Sequence, residues 1–240
     1  MRQLLRVSGI VNAICLIALI LLVGLQLPAF GMWFYRWQYG GNHTYEQVDM
    51  APEDLHEVTR HMIRYLQGRE PDLQIRATVG GEARYFFSEV ELRHMADVRD
   101  LFAAGQVLRN VLILLFLLTL GVCLLWGRTW TRYLFRSWQI GAVTALLSSS
   151  VLTAVIAVNW HDAFLVFHEI FFDNDYWMLD DRVKLLVNIV PYEFFVMASV
   201  VIGSFFAAGL GLLCLSSTLA LCPGRQFRRN GIDDRLRPHG

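Results

Sequence analysis

The chain is 240 residues long, 55% of its residues are hydrophobic, and its 21 basic residues balance its 21 acidic ones. A soluble domain of this length does not need so large an apolar fraction to fill its core, so the composition indicates a membrane protein. Because the basic residues form no patch with a nucleic-acid readout motif, the sequence also argues against nucleic acid as a partner.

Four predominantly apolar stretches are long enough to cross a membrane, since a hydrocarbon layer of ~30 Å needs ~20 residues of helix. They lie at about 7–27, 107–126, 140–158 and 194–221. The first could instead be a cleaved signal peptide, but its apolar run is longer than the ~7–15 residues usual in the core of such a peptide. We therefore expect a retained anchor and four transmembrane helices.

The charges are unevenly distributed among the segments that flank these stretches. Nineteen of the acids lie in 28–106 and 159–193, whereas the remaining segments are rich in arginine. The arginines of those segments are Arg2, Arg6, Arg128, Arg132, Arg136, Arg225, Arg228, Arg229, Arg235 and Arg237. By the positive-inside rule we place them, and both termini, in the cytoplasm. A multi-pass protein of the cell membrane would then expose 28–106 and 159–193 on its outer side.

The stretch "APEDLHEVTRHMIRYLQG" (51–68) predicts an amphipathic helix in the first outer segment. Pro52 and the acids that follow it suit a helix N-terminus, and Gly68 suits the position after the end. Apolar residues recur at helical spacing between them. They are Leu55, Val58, Met62, Tyr65 and Leu66.

The rest of this segment predicts a hairpin and a second helix. "LQIRATV" alternates apolar and polar residues, Gly80 and Gly81 supply turn geometry, and "ARYFF" returns. Ser88 and Glu91 then form a capping box that starts the helix. If that helix ran straight into the second span, His94 would lie ~20 Å from residue 107, so we expect it to bend or to lie along the interface.

These predictions together give the fold class of an α-helical membrane protein, with four transmembrane helices and a small extracytoplasmic α+β subdomain between helices 1 and 2. We divide the chain into 1–27, the cytoplasmic N-terminus and first transmembrane helix; 28–106, the extracytoplasmic helix–hairpin–helix subdomain; 107–158, transmembrane helices 2 and 3 with a short cytoplasmic link; 159–193, an extracytoplasmic interfacial segment; and 194–240, transmembrane helix 4 and a basic cytoplasmic tail.

Two outer histidines are candidates for chemistry. His94 shares a helix face with Asp97, and Arg93 is spaced to form an ion pair with Asp97; a solvated helix face is the simpler interpretation of these three. His168 lies in "FLVFHEIFFDNDYW" (164–177), which is too apolar for a loop and too short and charged to span. An imidazole at such an interface has a pKa that is easily tuned across neutrality. The alternative interpretation is an interfacial histidine with a satisfied hydrogen bond and no role in chemistry.

The blocks around these histidines resemble a known family. "FFSEVELRHMADVRDLF" (86–102) and "FHEIFFDNDYWMLDDRVKLLVNIVPYEFF" (167–195) are similar to the two signature blocks of the bacterial lipoprotein intramolecular transacylases. The number of spans and the large first outer segment also agree with that family. The resemblance implies an acyltransferase that moves the sn-2 acyl chain of a diacylglyceryl lipoprotein to the α-amine of its N-terminal cysteine, giving the lyso-form lipoprotein.

The same resemblance implies His94 and His168 as the two essential residues, acting as general acid and base without an acyl-enzyme, a metal or a cofactor. The partners would be diacylated bacterial lipoproteins and membrane lipid. The candidates for supporting the histidines or stabilising the oxyanion are Asp97, Arg93, Arg99, Glu169, Asn174 and Arg182. The candidates for contacting the acyl chains are Phe167, Phe171, Phe172 and Trp177.

Two other classes of function remain open from the sequence. A metal-dependent membrane hydrolase would use both histidines and an outer carboxylate as ligands. A non-catalytic membrane sensor or assembly factor would bind a partner through its outer subdomain. Metal dependence would identify the hydrolase, and histidines that can be replaced without loss of function would identify the sensor.

Overall fold

The computed structural model describes residues 2–125, 128–179 and 185–222. Within these ranges the secondary structure is helical except for one hairpin. The elements are α1 (Arg2–Phe30), α2 (Met32–Gly41), α3 (Thr44–Gln47), α4 (Pro52–Leu66), β1 (Arg76–Val79), β2 (Glu82–Tyr85), α5 (Glu89–Leu125), α6 (Arg128–Val158), α7 (Trp160–Phe171), α8 (Leu185–Ile189) and α9 (Tyr192–Leu221). Four helices, α1, α5, α6 and α9, are long and apolar enough to cross a membrane. The predicted fold class is confirmed.

Helix α5 is longer than a membrane crossing requires. Its 37 residues extend ~55 Å, against a hydrocarbon layer of ~30 Å. Six charged residues lie between 89 and 100, so we assign the crossing to the apolar part after residue 106. No break interrupts the helix near residue 107, where we expected the chain to bend, and the boundary drawn between 106 and 107 falls inside one continuous helix.

The structure forms two compact units. The first contains α1 up to Ile20, α5 from Val111, α6 up to Thr153 and α9 from Phe206. Its polar centre is Asn12, which donates from Nδ2 to the Phe116 carbonyl and to Thr119 Oγ1, both at 3.0 Å, and accepts from Trp138 Nε1 at 2.9 Å. Inside lipid the hydrophobic effect does not bring helices together, so such hydrogen bonds help to hold them.

The second unit contains the chain between Leu21 and Asn110 and between Ala154 and Phe205. One apolar cluster fills it, with members from α2, α4, the hairpin, α5, α8 and α9. The amphipathic helix α4 is confirmed: Pro52 occupies its first turn, Gly68 follows its end with φ of +72°, and its five predicted apolar residues are all buried. This helix thus provides one wall of the core.

The predicted hairpin is confirmed and leads directly into α5. Strands β1 and β2 pair antiparallel across Gly80 and Gly81, whose φ angles are +61° and +80°. Glycine adopts this left-handed conformation without a steric penalty, which explains the residue choice at the turn. The Gly80 N–H donates to the Asp49 carbonyl at 2.9 Å and ties the turn to the preceding loop. Three residues then connect the end of β2 to the start of α5.

Candidate active site

The two histidine blocks meet in the second unit. The rings of His94 on α5 and His168 on α7 have centroids 6.2 Å apart and planes inclined by 34°. Phe172, just after α7, contacts both rings, with centroids 5.3 Å from His94 and 5.6 Å from His168. The sequence places these histidines 74 positions apart and does not show that they meet, whereas the fold brings them together.

The imidazole of His168 is held by its own helix. Its Nδ1 lies 2.8 Å from the carbonyl oxygen of Phe164, one turn earlier. Because a carbonyl only accepts, Nδ1 carries the proton, and the neutral ring has its lone pair on Nε2. The side chains of Phe164 and Trp177 pack on the ring at centroid distances of 4.2 and 4.8 Å, and the residue is 7% exposed. Burial lowers the pKa of His168, and the bond to Phe164 partly opposes this.

The imidazole of His94 lacks such a bond. Its Nδ1 is buried and has no hydrogen-bond partner among the described residues. The pKa of His94 is lowered to about 4, mainly by burial and also by the nearby His168, while the Asp97 carboxylate opposes both effects. His94 is therefore neutral at physiological pH and has an unused ring nitrogen.

A buried carboxylate joins the first block to the second. Glu91, one turn before His94 on α5, is 1% exposed. Its Oε2 accepts from the Ser88 N–H at 2.7 Å, which is one half of the predicted capping box, and its Oε1 accepts from the Leu186 N–H at 2.8 Å. The motif indicated the first of these contacts. The second joins residues 95 positions apart and has no local signal in the sequence.

A second polar link joins the blocks through Asn174. Its Nδ2 donates to Asp97 Oδ2 at 2.9 Å, and its Oδ1 accepts from the Tyr176 N–H at 3.0 Å. The expected ion pair between Arg93 and Asp97 is wrong. Arg93 binds Glu89 at 2.5 Å instead, and its guanidinium lies over the Tyr176 ring, 5.5 Å from the centroid. Asp97 thus faces the second block instead of the arginine on its own helix.

Neither Arg99 nor Glu169 forms a hydrogen bond or ion pair with either histidine in the described structure. Arg99 lies over the ring of Tyr65 at 4.8 Å and is 3.8 Å from the Asp100 carboxylate. Glu169 is exposed. Arg182 lies outside the described residues. Within the described ranges no three His, Cys, Asp or Glu side chains are grouped so that they could hold a metal ion.

The four aromatic candidates for acyl contact have two kinds of environment. Phe167 and Phe171 pack on each other with centroids 4.8 Å apart, yet they are 46% and 50% exposed. Phe172 is buried against both histidines, and Trp177 is half-buried against His168. The first pair therefore presents apolar surface outward, and the other two residues line the histidine pair.

Comparison with known proteins identifies the family. No curated protein matches the chain. A solved structure, that of the membrane integral lipoprotein intramolecular transacylase Lit from Bacillus cereus, is similar with a TM-score of 0.76 and 18% identity over 94% of this chain and 100% of that one. Two variants of that protein, with a histidine replaced by arginine or by alanine, both give a TM-score of 0.72 and 19% identity over 93% of this chain and 95% and 96% of theirs. At such identity the likeness shows the fold.

The family model for lipoprotein intramolecular transacylase Lit matches residues 10–195. This range begins within α1, ends at the start of α9 and includes both histidine blocks. The match covers well over half of the chain. The protein is therefore a multi-pass membrane acyltransferase and belongs to the lipoprotein intramolecular transacylase Lit family.

Proposed function

We propose that the chain moves the sn-2 acyl chain of a diacylglyceryl lipoprotein to the α-amine of the same N-terminal cysteine, with His168 as the general base and acid. The observation that carries this assignment is the bond from His168 Nδ1 to the Phe164 carbonyl. It leaves Nε2 as the basic atom, and the accepting carbonyl favours the imidazolium that forms when Nε2 takes a proton.

The reaction needs one proton to move from nitrogen to oxygen. The neutral α-amine attacks the sn-2 ester carbonyl, and its nitrogen becomes acidic as the C–N bond forms, so His168 can remove the proton. When the C–O bond to the glyceryl group breaks, the His168 imidazolium returns that proton to the departing oxygen. The products are an amide and a free hydroxyl, and no acyl-enzyme is needed because amine and ester belong to one molecule.

His94 has a different role in this scheme. With a pKa of about 4 it is neutral during turnover, so it is a poor proton reservoir but a suitable hydrogen-bond donor. Its N–H would stabilise the negative charge on the ester oxygen in the tetrahedral intermediate, as preorganised donors do in acyl transfer. Phe172, in contact with both rings, would keep their separation fixed.

The location of the site follows from the same proposal. Both termini lie in the cytoplasm, and the histidine pair lies at the extracytoplasmic surface within 28–106 and 159–193. The exposed Phe167 and Phe171 face the acyl chains of the substrate and of the bilayer, so that the ester is held at headgroup depth. Diacylated lipoproteins and membrane lipid are the partners, without nucleic acid and without a cofactor.

The test is mass spectrometry of the N-terminal lipopeptide of a reporter lipoprotein, produced in a host that lacks N-acylation. The wild-type protein should give a lipopeptide of unchanged total mass, with one acyl group on the amine and one on the glyceryl. His94→Ala and His168→Ala should give none. His161→Ala is the matched control, because His161 is an exposed histidine on the same helix as His168, and it should behave as wild type.

Other outcomes favour the other two functions. Loss of an acyl group without its transfer, abolished by a chelator and restored by a divalent metal, would indicate the metal-dependent hydrolase. Full function in both histidine variants would indicate a non-catalytic sensor or assembly factor.

A further inference from the structure

We propose that Asp97 binds the α-ammonium group of the incoming lipoprotein and so selects substrates with a free amine. The inference rests on the proposed function and adds a binding site for the nucleophile to it. Three observations support it: the position of the carboxylate beside His94, the absence of a neighbouring cation in the described structure, and a carboxylate oxygen without a hydrogen bond.

Asp97 belongs to the histidine pair by position. It follows His94 by three residues on α5, so the two side chains share a face of the helix. Among the described carboxylates, Asp97 is the one whose negative charge acts on the pKa of His94, which it raises. Its Oδ2 accepts from Asn174 Nδ2 at 2.9 Å, which turns the carboxylate toward the block that carries His168. A group bound to Asp97 therefore lies beside His94, and Asn174 joins the carboxylate to the block that carries His168.

The cations nearest to Asp97 in the sequence have other partners. Arg93 is bound to Glu89 at 2.5 Å and to the Tyr176 ring. Arg99 lies over Tyr65 and near Asp100. Across the ranges that the structure describes, no Lys, Arg or His lies within ion-pair distance of Asp97. The Asp97 carboxylate is half-buried, so it is available to a cation that arrives with the substrate.

The hydrogen bonding of Asp97 is also incomplete. Asn174 uses Oδ2, whereas Oδ1 accepts no hydrogen bond from any described residue. An ionised carboxylate accepts at both oxygens. A primary ammonium has three donors, so it can bind Oδ1 and still offer a proton to an imidazole.

The charges of site and substrate are complementary. Both imidazoles are neutral at physiological pH, so Asp97 gives the pair a net negative charge. A free α-amine has a reference pKa of ~7.7–8.0 and arrives mostly as an ammonium. A lipoprotein that is already N-acylated carries no such charge, so Asp97 would favour substrate over product. The bound ammonium releases one proton to solvent before it attacks, and the second proton goes to His168 as the C–N bond forms and then to the departing glyceryl oxygen.

The experiment compares two non-reactive probes with the full-length protein in lipid nanodiscs. Both are dialkyl-ether glyceryl thioethers, which cannot transfer an acyl chain; one contains cysteine amide and the other its des-amino analogue. We expect the wild type to bind the amine probe about tenfold or more tightly at pH 6.5, as expected of a partly desolvated ion pair. The preference should vanish at pH 9.5, where the amine is neutral.

Asp97→Asn is the informative variant, because its amide oxygen can still accept from Asn174 and the link between the blocks is kept. It should bind both probes equally at pH 6.5. Asp100→Asn, an exposed neighbour on the same helix, should retain the wild-type preference. With a cleavable diacyl substrate, Asp97→Asn should raise KM about tenfold and change kcat much less, since ground-state binding is lost.

Three results would overturn the proposal. They are a wild type that binds both probes equally at pH 6.5, an Asp97→Asn variant that keeps the preference for the amine probe, and a wild type that keeps this preference at pH 9.5. The probes bind without reacting, so these results do not depend on turnover. A wild type that prefers the amine probe but makes no N-acyl product would instead refute the proposed function alone.

Discussion

The two helices that carry the histidines differ in how they hold the imidazole rings. Helix α7 has 12 residues, and its own backbone fixes His168 through the Phe164 carbonyl. Helix α5 has 37 residues, and Nδ1 of His94 has no hydrogen-bond partner among the described residues. His168 thus has a fixed tautomer before substrate binds. In the proposed reaction His94 obtains its hydrogen-bond partner from the substrate.

The surroundings of the two rings differ accordingly. Aromatic side chains pack on His168, with Phe164 and Trp177 closest, whereas His94 has Phe172 on one side and the Asp97 carboxylate nearby. An apolar wall makes orientation precise and water scarce, which suits a base that must hold a proton briefly. A nearby carboxylate suits a ring that works beside an ammonium. The comparison therefore predicts different responses to the same substitution.

Glutamine variants give the largest expected difference between the two positions. Glutamine retains an N–H donor but is not a base, so His168→Gln should lose ~10³-fold in rate, within the range for general acid–base catalysis. His94→Gln should lose about tenfold, and less than His94→Ala, because a donor to the oxyanion remains. Single-turnover rates of N-acyl product formation measure both. Equal losses in the two glutamine variants would contradict the assignment of roles.

Removing the buried carboxylate of Glu91 tests how far the geometry of the histidine pair depends on the hydrogen bond that joins the two blocks through Leu186. Glu91→Ala leaves the Leu186 N–H buried without its partner, which should lower the free energy of unfolding by about 2 kcal/mol. Glu91→Gln should lose less, because the amide oxygen still accepts one bond. Thermal unfolding in detergent measures this, with the exposed Glu89 as the control position. A stability change in Glu89→Ala as large as in Glu91→Ala would rule out a special role for Glu91.

Local patterns predicted the parts of the second unit that local forces build. The apolar spacing of α4, the glycine pair of the hairpin and the capping box at Ser88 each depend on residues within one or two turns of each other, and the structure has all three. The four spans were equally accessible, since length and hydropathy suffice to identify them.

The failures concern residues that choose between several partners. Arg93 was expected to bind Asp97 at a spacing of four, but Glu89 lies at the same spacing on the other side, and Tyr176 comes from the second block. The helix that carries His94 was expected to bend or to lie along the interface, because a straight helix would place His94 far from residue 107; α5 continues past residue 107 without a break. The meeting of His94 and His168 depends on packing across the whole unit, which no local pattern encodes.

Histidine titration tests the electrostatic half of the comparison. NMR of ring-labelled histidines in nanodiscs should show His94 neutral down to about pH 5, because burial sets its pKa at about 4. The pKa of His168 is also lowered by burial, but its hydrogen bond to the Phe164 carbonyl opposes this effect. His168 should therefore be the first of the two to become protonated on acidification. In the unfolded chain His94 returns toward 6.5, so between these values the unfolded state binds more protons, and stability should fall as pH falls from 6.5 to 4.

The matching control for this titration is a variant. His94→Gln should show a shallower loss of stability over that pH range, because the group that takes up a proton on unfolding is gone. Acid sensitivity identical to that of the wild type would mean that His94 is not the buried neutral group that the structure describes.

The smallest expected effect concerns the exposed pair on α7. Replacing Phe167 and Phe171 by alanine removes outward apolar surface, 46% and 50% exposed at present, without touching the bond that orients His168. If this surface contacts acyl chains, each methylene that loses contact weakens binding by up to ~0.8 kcal/mol, so KM should rise several-fold for long chains and little for short ones.

Leu114→Ala, on a similarly exposed position of α5, is the control for general loss of lipid contact. Substrate series of increasing chain length distinguish the two variants, and parallel KM profiles would show that α7 supports the histidine without selecting the lipid. If KM depends more steeply on chain length in the wild type than in the double variant, α7 has two roles. Its backbone orients the base His168, and its outer face binds the acyl chain.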